Sequence, residues 1–249
     1  MNIQFDNKTV LITGGTRGIG KQIADDFHDL GATVIITGTN ADQIVELNIK
    51  SEQQSDRKIF YKVDFSSKED TLRFIEIISK LPKIDVLVNN AGINKLNFID
   101  DVLTDDWDNM ISVNLSGPFH LIRIVSAKMK TAKYGRIINI ASIFSKISKE
   151  RRSVYSATKF GIHGLTVGVS NDLSRFNILV NTVSPGFIMT DLTKKNLSSN
   201  EIEMLTQQIP AKRMGETKDI ANTVIFLASH FNTYITGQNI IVDGGFVNV

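Results

Sequence analysis

Short apolar runs alternate with longer stretches of helical period along the whole chain. Thr9-Val10-Leu11-Ile12-Thr13, Val34-Ile35-Ile36, Ile59-Phe60-Tyr61, Val86-Leu87-Val88, Ile137-Ile138-Asn139-Ile140, Ile178-Leu179-Val180 and Ile240-Ile241-Val242 have the length and β-branched content of buried strands. Between them lie segments with helical spacing, the longest over 105–130 and 153–175. This alternation predicts an α/β fold: a doubly wound parallel sheet of about seven strands with helices on both faces. At 249 residues, with no repeat or linker, one domain spanning 1–249 is expected. Thr104 is the expected N-cap of the 105–130 helix, with Asp105, Asp106 and Asp108 suiting its positive end. Pro82, Pro185 and Pro210 fall in predicted loops. Pro118, beside Gly117, lies inside a predicted helix one turn after Asn114, and a kink is expected there.

Composition mainly excludes. Charged residues at 22% and hydrophobic ones at 42% are ordinary globular values and argue against long disorder. A net charge of +2, with scattered lysines and arginines and no recognition motif, gives no case for nucleic acid. The absence of cysteine removes disulfides, thiolate nucleophiles and thiolate metal ligands. His28, His120, His163 and His230 have no paired spacing, so no metal is expected. Residues 1–6 show no basic-then-apolar signal, and no stretch approaches the ~20 apolar residues of a membrane span. A cytoplasmic protein without a membrane partner is expected.

Two local patterns carry chemistry. The strand at Thr9 runs into Gly14-Gly15-Thr16-Arg17-Gly18-Ile19-Gly20 and then a helix, an order in which backbone amides at a helix N-terminus can hold a phosphate. The spacing is Gly-x-x-x-Gly-x-Gly, not the commoner Gly-x-Gly-x-x-Gly. Further on, Tyr155 and Lys159 stand four apart, which on a helix puts a phenol and an ammonium on one face. A cation beside a phenol favours phenolate and makes the hydroxyl a usable acid or base near neutral pH. Neither pattern decides alone: such pairs occur on many helix faces, and a glycine turn can merely end a strand.

With Asn89-Asn90-Ala91-Gly92, Asn114, Ser142 and Pro185-Gly186 in the same order, the chain resembles the short-chain dehydrogenase/reductase family over almost its full length. The resemblance implies that Ser142 hydrogen-bonds a substrate oxygen and that Tyr155 donates or accepts its proton. It implies that Lys159 holds nicotinamide ribose and lowers the Tyr155 pKa, and that Asn114, at a helix irregularity, holds a water leading to the lysine. It further implies a dinucleotide bound by Gly14, Thr16, Arg17, Gly18, Ile19, Gly20, Thr37, Asp64, Asn90, Ala91, Gly92, Pro185, Gly186, Ile188 and Thr190, together with Tyr155 and Lys159. Asp64 is the expected adenine contact, with a loop or capping aspartate as the equal alternative, and Thr190 is expected near the carboxamide. The stretch Thr37-Gly38-Thr39-Asn40 offers no carboxylate to repel a 2′-phosphate, and Arg17 offers a cation, so NADP(H) is expected rather than NAD(H).

The segments 185–193, 209–215 and 234–245 look like the branch containing 3-oxoacyl-carrier-protein reductases, which also includes sugar and polyol enzymes. A small carbonyl or alcohol substrate, anionic or carrier-linked, is implied, under a lid at about 187–212. Two departures bear on a carrier protein. Lys133 matches one docking cation, but Phe176 stands where another belongs, with Arg175 displaced by one. Residues 143–154, where that branch is small and glycine-rich, carry Lys146, Lys149, Arg151 and Arg152. These suit an acidic substrate or equally a solvated basic loop. Sugar-derivative chemistry and a non-catalytic sensor or scaffold remain as alternatives, the last disfavoured by intact Ser142, Tyr155 and Lys159. The resemblance implies a homotetramer, with a dimer as the alternative, packed partly through the apolar ending 245–249.

Overall fold

The computed structural model describes residues 2–196 and 198–248. Leu197, inside the expected lid, and Val249, at the expected packing terminus, lie outside the described residues, as does Met1. In chain order the elements are β1 (Thr9–Ile12), α1 (Gly18–Asp29), β2 (Thr33–Gly38), α2 (Ala41–Gln53), β3 (Lys58–Lys62), α3 (Lys68–Lys80), β4 (Val86–Asn89), α4 (Thr104–Ile111) and α5 (Gly117–Ala132). There follow β5 (Gly135–Ile140), α6 (Ser153–Leu173), β6 (Ile178–Pro185), β7 (Ile188–Met189), α7 (Asp191–Asn196), α8 (Ser199–Gln208), β8 (Gly215–Glu216), α9 (Thr217–Ala228) and β9 (Asn239–Val242).

Every apolar run named in the sequence becomes a strand of one seven-stranded sheet, all parallel, in the order β3-β2-β1-β4-β5-β6-β9. Burial on both faces explains the apolar runs of the five inner strands, whereas the edge strand β3 exposes Ile59 and carries Lys58 and Lys62. Side-chain alternation sends Val10 and Ile12 to the face covered by α1 and α9, with Ile23, Phe27, Ile220 and Val224. Leu11 goes to the other face, with Phe74, Leu121, Val125 and Ile137 from α3, α5 and β5. The result is a single-domain doubly wound Rossmann-like fold. Since β1 lies between β2 and β4, the winding reverses there, and a crevice opens beyond the carboxyl ends of β1 and β4.

Several local expectations need correction. The 105–130 segment is not one helix: α4 passes into a π-helical turn, Ser112–Ser116, before α5. Pro118 is the second residue of α5, and its ring nitrogen has no hydrogen to offer the carbonyl of Asn114 four residues earlier. The break expected at Pro118 is therefore taken up by the turn before it. Thr104 is the first helical residue; Leu103 occupies the cap position without a side-chain bond, because the helix begins one residue earlier than the threonine requires. Pro185 is not in a loop. It ends β6 opposite Val242, a strand terminus where no N–H is needed. The 153–175 helix ends at Leu173 and closes with a 3₁₀ turn, Ser174–Phe176. The two-residue pair β7 and β8 was not anticipated, being too short to show periodicity.

Candidate active site

At the crevice the chain is held by backbone geometry. Gly14 has φ +63°, and a Cβ on it would sit 2.9 Å from the Cα of Ala91, so only glycine lets the turn and the end of β4 meet. Thr13 staples the same junction: its Oγ1 accepts from the amides of Asn90 at 3.0 Å and Ala91 at 2.9 Å. Asn90 returns the link, its Nδ2 donating to the carbonyls of Thr13 at 2.9 Å and Gly14 at 3.0 Å. A side chain on Gly20 would overlap both Asn90 Nδ2 and the Gly14 carbonyl. Thr37 is buried, and its Oγ1 accepts from the Gly14 amide at 3.1 Å while its carbonyl accepts from Gly15 at 2.9 Å. It shapes the turn from beneath.

The first amides of α1, at Gly18, Ile19 and Gly20, have no helical acceptor, and Arg17 at the N-cap supplies no side-chain bond. No acidic residue stands in that first turn, so the positive end of the helix is open to an anion. Arg17 itself is exposed, and Thr16 is half-buried beside it. Across the crevice, a Cβ on Gly18 would lie 3.8 Å from Thr190 Cγ2, which brings the segment after β6 over the turn. Gly186 packs so tightly that a Cβ would fall 2.7 Å from the Cα of Asp243, and Ile188 is buried in β7. Beyond β2, Thr39 and Asn40 are exposed and carry no negative charge, and Asn40 caps α2 by accepting from the Gln43 amide at 2.9 Å. Asp64 lies two residues past β3 and its Oδ1 accepts from Ser66, amide at 2.9 Å and hydroxyl at 2.7 Å. A cradle that excludes Cβ atoms, open helix amides, a neighbouring arginine and no opposing carboxylate fit an anionic dinucleotide.

The candidate reacting groups gather beyond the carboxyl ends of β4 and β5. Ser142, two residues past β5, opens a 3₁₀ turn, Ile143–Ser145, and its Oγ accepts from the Phe144 amide at 3.3 Å. The α6 spacing sets Tyr155 and Lys159 one turn apart, with Nζ 5.5 Å from the Tyr155 ring centroid. Lys159 is only 4% exposed, donates to the Ile140 carbonyl at 3.0 Å, and has its pKa lowered to about 8 by burial. Burial pushes the Tyr155 phenol above its ordinary value, against the opposing pull of a Ser142 hydrogen bond and the Arg152 charge. Lys159 is not among the groups that shift the phenol here. The ammonium is turned to Ile140, and Arg152 is the cation acting on the phenol.

Asn114 sits in the π turn, buried, and bridges two parts of the site. Its Nδ2 donates to the Ile93 carbonyl at 2.9 Å and to Thr158 Oγ1 at 3.1 Å, while its Oδ1 accepts from the Ile93 amide at 2.8 Å. The β4 loop and α6 are thereby tied through one side chain. Gly92 completes the contact: a Cβ there would stand 3.5 Å from both Asn114 Oδ1 and Lys159 Nζ.

Four basic residues after Ser142 diverge. Lys146 and Lys149 are exposed, and Arg151 is exposed with a bond to the Leu96 carbonyl at 3.2 Å. Only Arg152 turns inward, its guanidinium 4.8 Å from the Phe144 ring centroid and 6.0 Å from that of Tyr155. Lys133 is the left-handed cap ending α5, and Phe176 lies under Arg175 at 4.9 Å and Lys130 at 5.3 Å. Sequence reading missed Thr13 and Thr158, and it did not separate Arg152 from its basic neighbours. Thr158 was detectable, since it lies between Tyr155 and Lys159 on the same helix; the Thr13 partnership spans 77 residues and left no local signal. After β7, α7 and α8 cover the stretch expected to form a lid, α8 starting on a Ser198–Glu201 capping box. Among the described residues, no cluster of three or more histidine or acidic side chains is placed to hold a metal, and no helix is long and apolar enough to cross a membrane.

A family model described as enoyl-(acyl carrier protein) reductase matches residues 14–247. The chain is 38% identical to a 3-oxoacyl-[acyl-carrier-protein] reductase of Rickettsia bellii over 247 residues, covering 99% of this chain and 100% of that one. It is 39% identical to a protein of the same name from Staphylococcus epidermidis, covering 96% and 98% of the two chains. Among solved structures, a gluconate 5-dehydrogenase from Burkholderia cenocepacia, in complex with NADP and tartrate, superposes with a TM-score of 0.90 at 30% identity, covering 100% of this chain and 98% of the other.

Proposed function

The chain belongs to the short-chain dehydrogenase/reductase family and is an oxidoreductase of C=O and CH–OH groups, and from that premise we propose that it reduces the 3-oxo group of an acyl thioester with NADPH. The observation that carries it is the gathering of Ser142, Tyr155 and Lys159 beyond β5, beside a glycine turn whose helix amides are open to an anion. A phenol that keeps its proton at neutral pH is poised to give it to a ketone oxygen. The acyl substrate is supported by full-length relatives named as 3-oxoacyl-[acyl-carrier-protein] reductases. NADPH is supported by exposed Arg17, by the uncharged Thr39 and Asn40, and by the NADP of the Burkholderia structure.

When bound, the reduced nicotinamide supplies the hydride. Ser142 holds the carbonyl oxygen by its hydroxyl, and Tyr155 protonates that oxygen as negative charge develops on it. Lys159 meets the resulting phenolate with a positive charge it keeps at neutral pH. Asn114 positions Lys159 indirectly, by fixing Ile93, the neighbour of Gly92, on one side of it and Thr158, the residue before it on α6, on the other. Backbone amides of Gly18 to Gly20 take the pyrophosphate, with Asp64 at the adenine end and Thr190 at the carboxamide. A cytoplasmic homotetramer belongs to the same reading, supported by exposed Trp107, Phe119 and Phe160 on α4, α5 and α6. A second reading, oxidoreduction of a sugar acid, is favoured by the gluconate 5-dehydrogenase likeness.

The test is NADPH absorbance with an acetoacetyl thioester as substrate. Oxidation in the wild type that falls at least ~100-fold in Tyr155→Phe, with NADPH binding retained, is expected. NADPH binding without thioester turnover, but with turnover of a keto sugar acid, moves the assignment to the second reading.

A further inference from the structure

Arg152 is a cation without an anion. Its Nε is buried and has no hydrogen-bond partner, and burial lowers its pKa, with the Tyr155 phenol as the one titratable group acting on it. No carboxylate pairs with it among the described residues. Stacking on Phe144 at 4.8 Å covers the face of the guanidinium but leaves the buried in-plane Nε–H without an acceptor. A half-buried guanidinium is costly to leave unpaired, and its planar fork matches a carboxylate bidentately. A side chain held only for solubility lies out in water, as Lys146 and Lys149 do.

We propose that Arg152 binds a free carboxylate on the substrate, so that the site takes 3-oxo acids directly and prefers them to their neutral esters. The inference rests on the reading that Ser142 and Tyr155 hold a 3-oxo group. In a 3-oxo acid the carboxylate occupies the place of the thioester carbonyl, so one framework serves both substrates. Phe144 fixes the guanidinium plane and touches the Tyr155 ring edge-on at 6.1 Å, which sets the anchor beside the proton donor. The exposed Lys146, Lys149 and Arg151 add a positive field that draws such an anion in.

The test separates this inference from the reading beneath it by measuring binding as well as rate. Calorimetry of 3-hydroxybutyrate and of its methyl ester into NADPH-loaded protein gives dead-end complexes that need no turnover. The acid is expected to bind at least ~10-fold tighter than the ester, and Arg152→Gln to erase that difference, as loss of a charge-assisted pair does. Arg152→Lys, which keeps the charge and loses the fork, is expected to fall between. In kinetics, Arg152→Gln should lower kcat/KM for acetoacetate ~10-fold more than for methyl acetoacetate. Equal affinity of the wild type for acid and ester, or an unchanged preference in Arg152→Gln, overturns the role of Arg152. Tight acid binding with no oxidation of NADPH by either ketone leaves the Arg152 anchor standing and removes 3-oxo reduction.

Discussion

The two halves of the crevice are built on opposite principles. Around Gly14 to Gly20 the wall is backbone, closed by contacts so near that a single methyl would collide, and its polarity comes from amides at the start of α1. Around Ser142, Tyr155 and Lys159 the wall is side chains, and its polarity comes from ionisable groups drawn out of water. The first half is held by side chains that already have partners, Thr13 and Asn90, and leaves open only the first amides of α1. The second holds two cations, Lys159 and Arg152, that the described residues provide with no carboxylate. Strain of this electrostatic kind is what a reacting site is expected to store, at the expense of the fold.

The sharpest way to break the comparison is Lys159→Met. A fall in pKa from 10.5 to about 8 corresponds to about 3 kcal/mol of penalty on the charged form. Below about pH 8 the lysine is protonated in both the folded and unfolded chains, so the whole penalty applies. From about pH 8 towards 10.5 the folded chain sheds the proton first, and the penalty fades. Cofactor-free Lys159→Met should therefore unfold at higher temperature than the wild type at pH 7, with the gap closing near pH 10, while turnover is lost. A variant less stable at pH 7 would show the lysine to be satisfied where it lies. On the backbone side the opposite holds, and Gly20→Ala should cost about 1–3 kcal/mol of stability by overpacking and weaken NADPH binding. Chemical denaturation and fluorescence titration check it, and an unperturbed variant would mean that Asn90 can move aside. Smallest is Arg17→Ala, expected to weaken NADPH about 10-fold, the scale of one charge-assisted bond, and NADH hardly at all. Equal losses for both cofactors would place Arg17 away from the 2′-phosphate.

The same contrast explains what could be read in advance. The sheet, its parallel sense and the glycine turn were legible because apolar run length and glycine placement are local consequences of burial and φ. Tyr155 and Lys159 were legible because helical spacing alone puts them together. The staple from Thr13 to residues 90 and 91 was not, since it joins segments 77 and 78 residues apart. Gly117 and Pro118 signalled a break near Asn114 but not its form, because a π turn depends on which carbonyls find donors and not on composition. Arg152 was visible only as one of four basic residues. Its inward turn is set by Phe144, whose own position depends on the 3₁₀ turn at Ser142.

Asn40 gives one further consequence, for how such a protein diverges. It caps α2 through its side-chain oxygen at the exposed end of β2, about where related folds keep an acidic ribose contact. Aspartate caps a helix as well as asparagine does. An amide-to-acid exchange there would place a negative charge against a 2′-phosphate and leave the helix as stable as before. Under the proposed NADPH reading, the cap at Asn40 therefore sets no folding penalty against an exchange that would disfavour the 2′-phosphate.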